Sequence, residues 1–232
     1  MTNEMITIAT ALFEAIIILF SLRLGKEWLL MSIILNMVLI TTFGAKLITI
    51  FGFTTNAGNV FFASVFLATH MLSEHYGKEG YKTVWIGFAS IVFFLLMAQF
   101  TVRTIGAAQS ESANQAIGIL FQGAPRIALA SMVGYITVQS YNVSMYLFLY
   151  RMTGAKHLWL RSLFCTLTGQ CIDSVLFFTI AFAGIIPTGA LLQTMLIGYT
   201  VKVLIGILGM PFLYLSTLIA KHPVSPLPAQ AA

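Results

Sequence analysis

Charge is scarce in this chain. Asp, Glu, Lys and Arg make up 8% of its 232 residues, and 59% are hydrophobic. A soluble domain carries about 25% charged residues, so the composition excludes one and marks an integral membrane protein. Removing the apolar segments leaves no stretch from which a soluble domain could be built. Cysteine is also rare. Cys165 and Cys171 lie six residues apart on one apolar segment and face different ways on a helix, so no disulfide and no metal site are expected. There is no GxxxxGK[ST] phosphate loop, no His/Cys cluster and no nucleophile–base pair. The expectation is therefore a non-enzyme without cofactors. The net charge of +5 comes from basic residues at segment ends rather than from runs, which argues against nucleic acid as a partner. The N-terminus lacks the basic region and small-residue cleavage site of a signal peptide.

What the chain has in quantity is apolar sequence long enough to cross a bilayer, which takes about 20 residues. Seven such segments emerge, at about Met5 to Leu22, Trp28 to Ile50, Asn59 to Tyr76, Thr83 to Ile105, Pro125 to Tyr150, Ser162 to Pro187 and Ala190 to Ala220. The reading is an all-α bundle of about seven transmembrane helices, forming one domain over residues 1–222. A bundle of six, with the first helix lying flat, is the alternative, because Glu14 weakens that helix as a span. Basic residues follow the first, third, fifth and seventh segments: Arg23 and Lys26; Lys78 and Lys82; Arg151, Lys156 and Arg161; Lys221. The alternate connections hold only Arg103 and Arg126. Cytoplasmic loops collect Lys and Arg, so the N-terminus is expected outside and the C-terminus in the cytoplasm. The connection from Gly106 to Gly123 is small and polar, then apolar; disordered loop, re-entrant piece and outer lid all fit it. The Pro-rich tail, residues 223–232, reads as disordered.

Polar residues inside the apolar segments are the candidates for function. The stretch from His157 to Pro187 opens with Arg161 and carries Gln170 and Asp173 near its middle. In a helix these two are i and i+3, on one face, with Thr166 one turn earlier. A carboxylate at membrane depth is costly, and by default it faces the bundle interior or a wet cavity and marks a functional site. The preceding segment has its own stripe, Ser131, Tyr135, Gln139, Asn142 and Tyr146, stepping by four, four, three and four. Facing stripes of amides and a carboxylate suit the edge of a planar, hydrogen-bonding ligand; the same residues also suit interhelical hydrogen bonding, worth about 1 kcal/mol each. Lys202 lies midway along the last segment, too deep to reach the interface, and needs a partner such as Asp173. His70 and Glu74, i and i+4, sit near one end of the third segment, where Glu74 can also reach the interface as a plain polar terminus. Arg126, just after Pro125, guards an outer mouth or anchors its helix. Glu14 stands alone and reads as structural.

At these residues the chain resembles a known family. The run Trp159 to Phe182, WLRSLFCTLTGQCIDSVLFFTIAF, is similar to the signature of the bacterial queuosine precursor transporters, the VUT family. Pro125 to Val143 resembles the preceding helix of that family and Phe61 to Gly77 an earlier one, while Lys202 and Pro211 fall where its last helix has a Lys and a Pro. The resemblance spans about Leu29 to Lys221. It implies a multi-pass protein of the bacterial inner membrane that imports 7-deazaguanine precursors of the tRNA base queuosine, such as 7-cyano-7-deazaguanine, 7-aminomethyl-7-deazaguanine or queuine. It also places Arg126, Arg161, Glu74 and Lys202 at motif positions. Two residues depart from the family pattern: His70 and Asn142 stand where aspartate is common. A 7-deazaguanine offers N1–H and a 2-amino group as adjacent donors, which Asp173 can accept. Gln170 and Gln139 suit the remaining edge, and Tyr135 or Tyr199 suit the ring face.

Two other classes fit the same residues. One is the substrate-binding membrane subunit of an ATPase-driven vitamin importer. The other is a retinal-binding seven-helix photoreceptor, with Lys202 as the Schiff-base lysine, although position 198 one turn earlier is Gly rather than an acid. The expected partners are a small nucleobase-like substrate and the lipid bilayer. Proton coupling through Asp173 or Glu74 and assembly as a homo-oligomer are both compatible with the sequence.

Overall fold

A computed structural model of the chain describes residues 2–44, 46–104, 115–118, 121, 125–154 and 156–220. The lid and tail expectations, for Gly106–Gly123 and for the residues from Pro223, fall outside this set apart from 115–118 and 121.

Seven α-helices of 18 to 32 residues make up the bundle. They are α1 (Asn3–Leu24), α2 (Lys26–Phe43), α3 (Gly58–Tyr76), α4 (Tyr81–Thr104), α5 (Pro125–Thr153), α6 (Leu158–Phe182) and α7 (Thr188–Ile219). By length and hydropathy, α1, α2, α6, α7 and the continuous stretch Gly58–Val102, which holds α3 and α4, can each cross a membrane. Helix α5 is not among them, because its polar stripe dilutes the hydropathy. Large side chains such as Phe13, Phe20, Trp85, Phe93, Leu196 and Leu218 cover the outside of the bundle. Such an apolar exterior suits lipid. The protein is a multi-pass membrane protein.

The second segment is shorter than its apolar run suggests. Helix α2 ends at Phe43, and Leu47–Ile50 (β1) pairs antiparallel with Phe53–Asn56 (β2). A short apolar run does not by itself separate strand from helix. Here the helix ends with Gly44 as its C-cap, and the β-branched residues Ile48, Thr49, Ile50, Thr54 and Thr55 favour the hairpin. Its tip is Phe51–Gly52, with both φ positive (51° and 80°), the backbone that a two-residue hairpin turn requires. The hairpin is tied to the start of α1: Asn3 Nδ2 donates to the Thr49 carbonyl (2.9 Å), and the Phe51 N–H donates to Glu4 Oε1 (2.8 Å).

Helix α3 is the axle. Every residue from Gly58 to Tyr76 is buried except Phe61 and Tyr76. It packs on α1, α2, α5 and α7. A helix apolar on nearly all sides belongs in the middle, and this one carries Thr69, His70 and Glu74 into the core. Helices α5 and α6 form an antiparallel hairpin with the largest helix–helix contact in the bundle. Glu14 has a partner: Asn36 Nδ2 of α2 donates to its Oε2 at 3.1 Å. The pair links α1 to α2, so Glu14 does not stand alone.

Most connections that carry basic residues gather at one end, whereas Lys46, which the structure puts beyond α2 and next to β1, lies at the other. Lys26 Nζ is 3.3 Å from Glu79 in the turn between α3 and α4. Glu74 near the end of α3 meets Arg161 at the start of α6, and His75 Nε2 lies 2.8 Å from Ser216 Oγ near the end of α7. The β-hairpin and the N-terminus of α1 lie at the other end.

Candidate substrate site and buried ion pairs

Two buried ion pairs organise the interior. The first lies midway along α6 and α7. Lys202 Nζ is 2.5 Å from Asp173 Oδ2 and 4.9 Å from the centre of the Phe62 ring on α3. Both side chains are almost fully enclosed. The two residues whose depth in the membrane demanded partners have found each other. Gly134 admits α5 to the same place, since a Cβ there would stand 3.3 Å from Asp173 Oδ1.

The second pair lies at the basic end. Arg161 Nη2 donates to both carboxylate oxygens of Glu74, at 2.9 and 2.8 Å, and the Tyr146 hydroxyl donates to Oε2 at 2.9 Å. Arg161 Nη1 donates to Thr153 Oγ1 and to the carbonyls of Gly154 and Lys156, at 2.9, 2.7 and 2.7 Å. The guanidinium thus closes the end of α5, whose last carbonyls lack helical partners. Its Cζ also lies 4.9 Å from the centre of the Tyr150 ring. Glu74 is not a surface-seeking terminus; it is held inside by this network.

His70 leads into a chain of hydrogen bonds. Its Nδ1 is 3.1 Å from Ser162 Oγ, and its Nε2 is 2.9 Å from Asn142 Oδ1. Asn142 Nδ2 donates to Gln139 Oε1 (3.3 Å), and Gln139 Nε2 donates to Thr69 Oγ1 (2.9 Å). With the Asn142 oxygen as acceptor, His70 Nε2 carries the proton and Nδ1 accepts from Ser162. The Tyr146 ring stacks on His70, with centroids 4.9 Å apart. The two positions that depart from the family pattern, His70 and Asn142, are therefore each other's partners.

This arrangement changes the expected pairing of stripes. Gln139 and Asn142 turn to α3, not to Gln170 and Asp173, and no hydrogen bond joins the two sets among the described residues. The cause is rotation. In the antiparallel α5–α6 hairpin Gly134 meets Asp173 and Val138 meets Gly169, so Gln139 comes nearly level with Gln170, but it faces Thr69 on α3. Gln170 is fully buried, and neither its Oε1 nor its Nε2 has a partner among the described residues; the same holds for Ser174 Oγ. Tyr135 is buried with its hydroxyl donated to the Thr83 carbonyl at 2.8 Å, which ties α5 to α4. Tyr199 is half-exposed on α7. Arg126 is exposed and donates to the carbonyls of Ile180 (2.5 Å) and Ala183 (2.7 Å), so it anchors the end of α6.

Several participants were absent from the sequence candidates. Ser162 continues the Thr166 line by one turn, a spacing visible in the sequence. Thr69, Phe62 and Thr153 gave no such signal, because each acts through a neighbour brought in by tertiary packing. A small cavity borders Ser64, His70, Ser162, Thr166, Gly206 and Gly209. Its volume, about 20 Å³, is room for one water and not for a base. Among the described residues the two buried carboxylates of this region, Glu74 and Asp173, are each paired with a cation.

A lipid-facing exterior around buried carboxylates, cations and amides defines a multi-pass membrane protein with a polar interior. Residues 56–216 match the family described as "Putative vitamin uptake transporter". The chain is also 31% identical over 201 residues, 86% of its length and 87% of the other protein's, to the "Probable queuosine precursor transporter" of Bacillus subtilis (strain 168). No solved structure matches it. The chain belongs to this transporter family.

Proposed function

We propose that this protein imports 7-deazaguanine-type precursors of queuosine across the bacterial cytoplasmic membrane. The name of the Bacillus subtilis relative supports the substrate class. The observation that carries the reading within the molecule is the Asp173–Lys202 pair buried midway along two helices, next to the unpartnered amide of Gln170. A carboxylate at that depth needs either a cation or a ligand's donors. A deazaguanine presents N1–H and the 2-amino group side by side, and a donor from this edge can share or replace Lys202 on Asp173. A site that hydrogen-bonds its substrate also rejects analogues that leave its own polar groups unpaired. In this reading all seven helices cross the membrane, the N-terminus is outside, and the basic end with Glu74 and Arg161 faces the cytoplasm. Binding would require the interior to open, which separates helices now held by the Asp173–Lys202 contact. Asp173 and Glu74 are the carboxylates positioned to couple proton movement to that opening.

The test is uptake in cells that cannot make 7-deazaguanines. Expression of this protein should restore queuosine in tRNA at low external precursor. The reading fails if restoration needs the same external concentration with and without the protein.

A further inference from the structure

The contact between α6 and α7 follows a single ridge. Thr166, Gln170, Ser174 and Phe178 are spaced by four and share one face of α6. Both ends of this ridge press against glycines of α7. A Cβ on Gly206 would stand 2.6 Å from Thr166 Cγ2, and one on Gly198 would stand 3.1 Å from Phe178 Cε2. The inner members, Gln170 and Ser174, therefore lie in the seam between these two contacts, and Lys202 lies midway between them on α7. At such a close contact apolar or hydrogen-bonded side chains are expected, since a buried polar group without a partner is destabilising. Here the Gln170 amide and the Ser174 hydroxyl are buried without partners among the described residues, while the amides of Gln139 and Asn142 are bonded into the His70 chain. The cavity beside Thr166 and Gly206 begins where this ridge ends.

We infer that Gln170, supported by Ser174, is a specificity-determining contact that pairs with the lactam edge of the substrate in the α6–α7 seam; this rests on the substrate reading above. A primary amide matches that edge atom for atom. Gln170 Oε1 accepts from the ring N1–H, and Nε2 donates to the adjacent ring carbonyl, giving two parallel hydrogen bonds. Asp173, one turn away and bound to Lys202, is left for the 2-amino group. Gln139 and Asn142 hold His70 and do not touch the substrate. The seam between α6 and α7 is then the line along which the transporter opens, because there two buried, unpartnered side chains, Gln170 and Ser174, gain partners from separation.

The probe is 7-cyano-7-deazaguanine, measured by calorimetry on purified wild-type protein and on Gln170→Leu, alongside the N1-methylated base. Gln170→Leu should bind the parent base about 10- to 100-fold more weakly. N1-methylation should weaken binding to wild type, and weaken binding to Gln170→Leu less. Without ligand, Gln170→Leu should melt about 2–4 °C above wild type, since an unpartnered buried amide is replaced by an apolar side chain of similar size. A structural amide would give the opposite sign. If wild type binds the base and Gln170→Leu binds it equally, or melts lower, the inference is overturned while the substrate reading stands. If wild type binds neither base, both fall.

Discussion

Removing one member of the Asp173–Lys202 pair should be far more damaging than removing both. At 2.5 Å the charges attract by about 7 kcal/mol if the effective dielectric constant is about 20. Desolvation of two buried ions takes back most of that gain, so the net worth of the intact pair is small. Lys202→Met keeps the length of the side chain and its contact with Phe62, but leaves Asp173 buried among Gly134 and apolar neighbours with no cation. Breaking a buried pair in this way costs about 3–5 kcal/mol. For a chain of this size each kcal/mol moves the melting temperature by about 2–4 °C, so the variant should melt about 6–20 °C lower. The double variant Lys202→Met with Asp173→Leu removes both ions, and Leu branches where the carboxylate does; it should melt within a few degrees of wild type and still fail to transport. Asp173→Asn keeps the shape and leaves Lys202 an amide oxygen as acceptor, so it should still insert and fold, with a melting temperature lowered by the lost counter-charge, but it turns one acceptor into a donor against a donor-rich ligand edge. Loss of one charge-assisted hydrogen bond, about 1.5–3 kcal/mol, predicts a 10- to 100-fold loss of affinity. Melting curves in detergent and binding of 7-cyano-7-deazaguanine check the series. If the two single losses simply add in the double variant, the charges are not coupled, and unchanged affinity in Asp173→Asn would make that residue structural.

The other predictions concern the ends and the seam. Glu74→Gln leaves Arg161 enclosed without its carboxylate, so it should lower stability by about 3–5 kcal/mol, seen as reduced thermal tolerance of the purified protein; a melting temperature equal to wild type would count against a buried pair. Gly206→Ala should destabilise by about 1–3 kcal/mol, because its Cβ would lie 2.6 Å from Thr166 Cγ2, and Thr166→Ser should restore much of that loss by removing the methyl. A Gly206→Ala variant as stable as wild type shows the seam to be looser than described. Phe51→Cys at the exposed hairpin tip, made in a Cys171→Ser background, should react with a membrane-impermeant thiol reagent added outside intact cells. Labelling only after the cells are opened would reverse the proposed orientation.

The membrane character, the number of helices and most of their limits were legible in the residues themselves. The reason is that a bilayer-crossing helix must satisfy its backbone internally and bury about 20 apolar residues against lipid, a demand that leaves a strong linear trace. The depth of Asp173 and Lys202 was legible for the same reason, and their shared need for a partner pointed to the pair. The hairpin after Phe43 was not, since a few β-branched apolar residues carry the same hydropathy in a strand as in a helix. The sorting of the polar residues came only from tertiary structure. Gln139 and Gln170 look alike in sequence: each is an amide on a polar stripe, three residues before an Asn or an Asp. Rotation of α5 and α6 about the buried axle α3 gives Gln139 a partner in Thr69 and leaves Gln170 in the α7 seam with none among the described residues. Arg126 and Arg161 were separated in the same way, one exposed at a helix end and one enclosed with Glu74. A side chain's type sets what it must hydrogen-bond; which neighbour answers depends on packing between helices far apart in the chain, and periodicity along one helix carries no information about that.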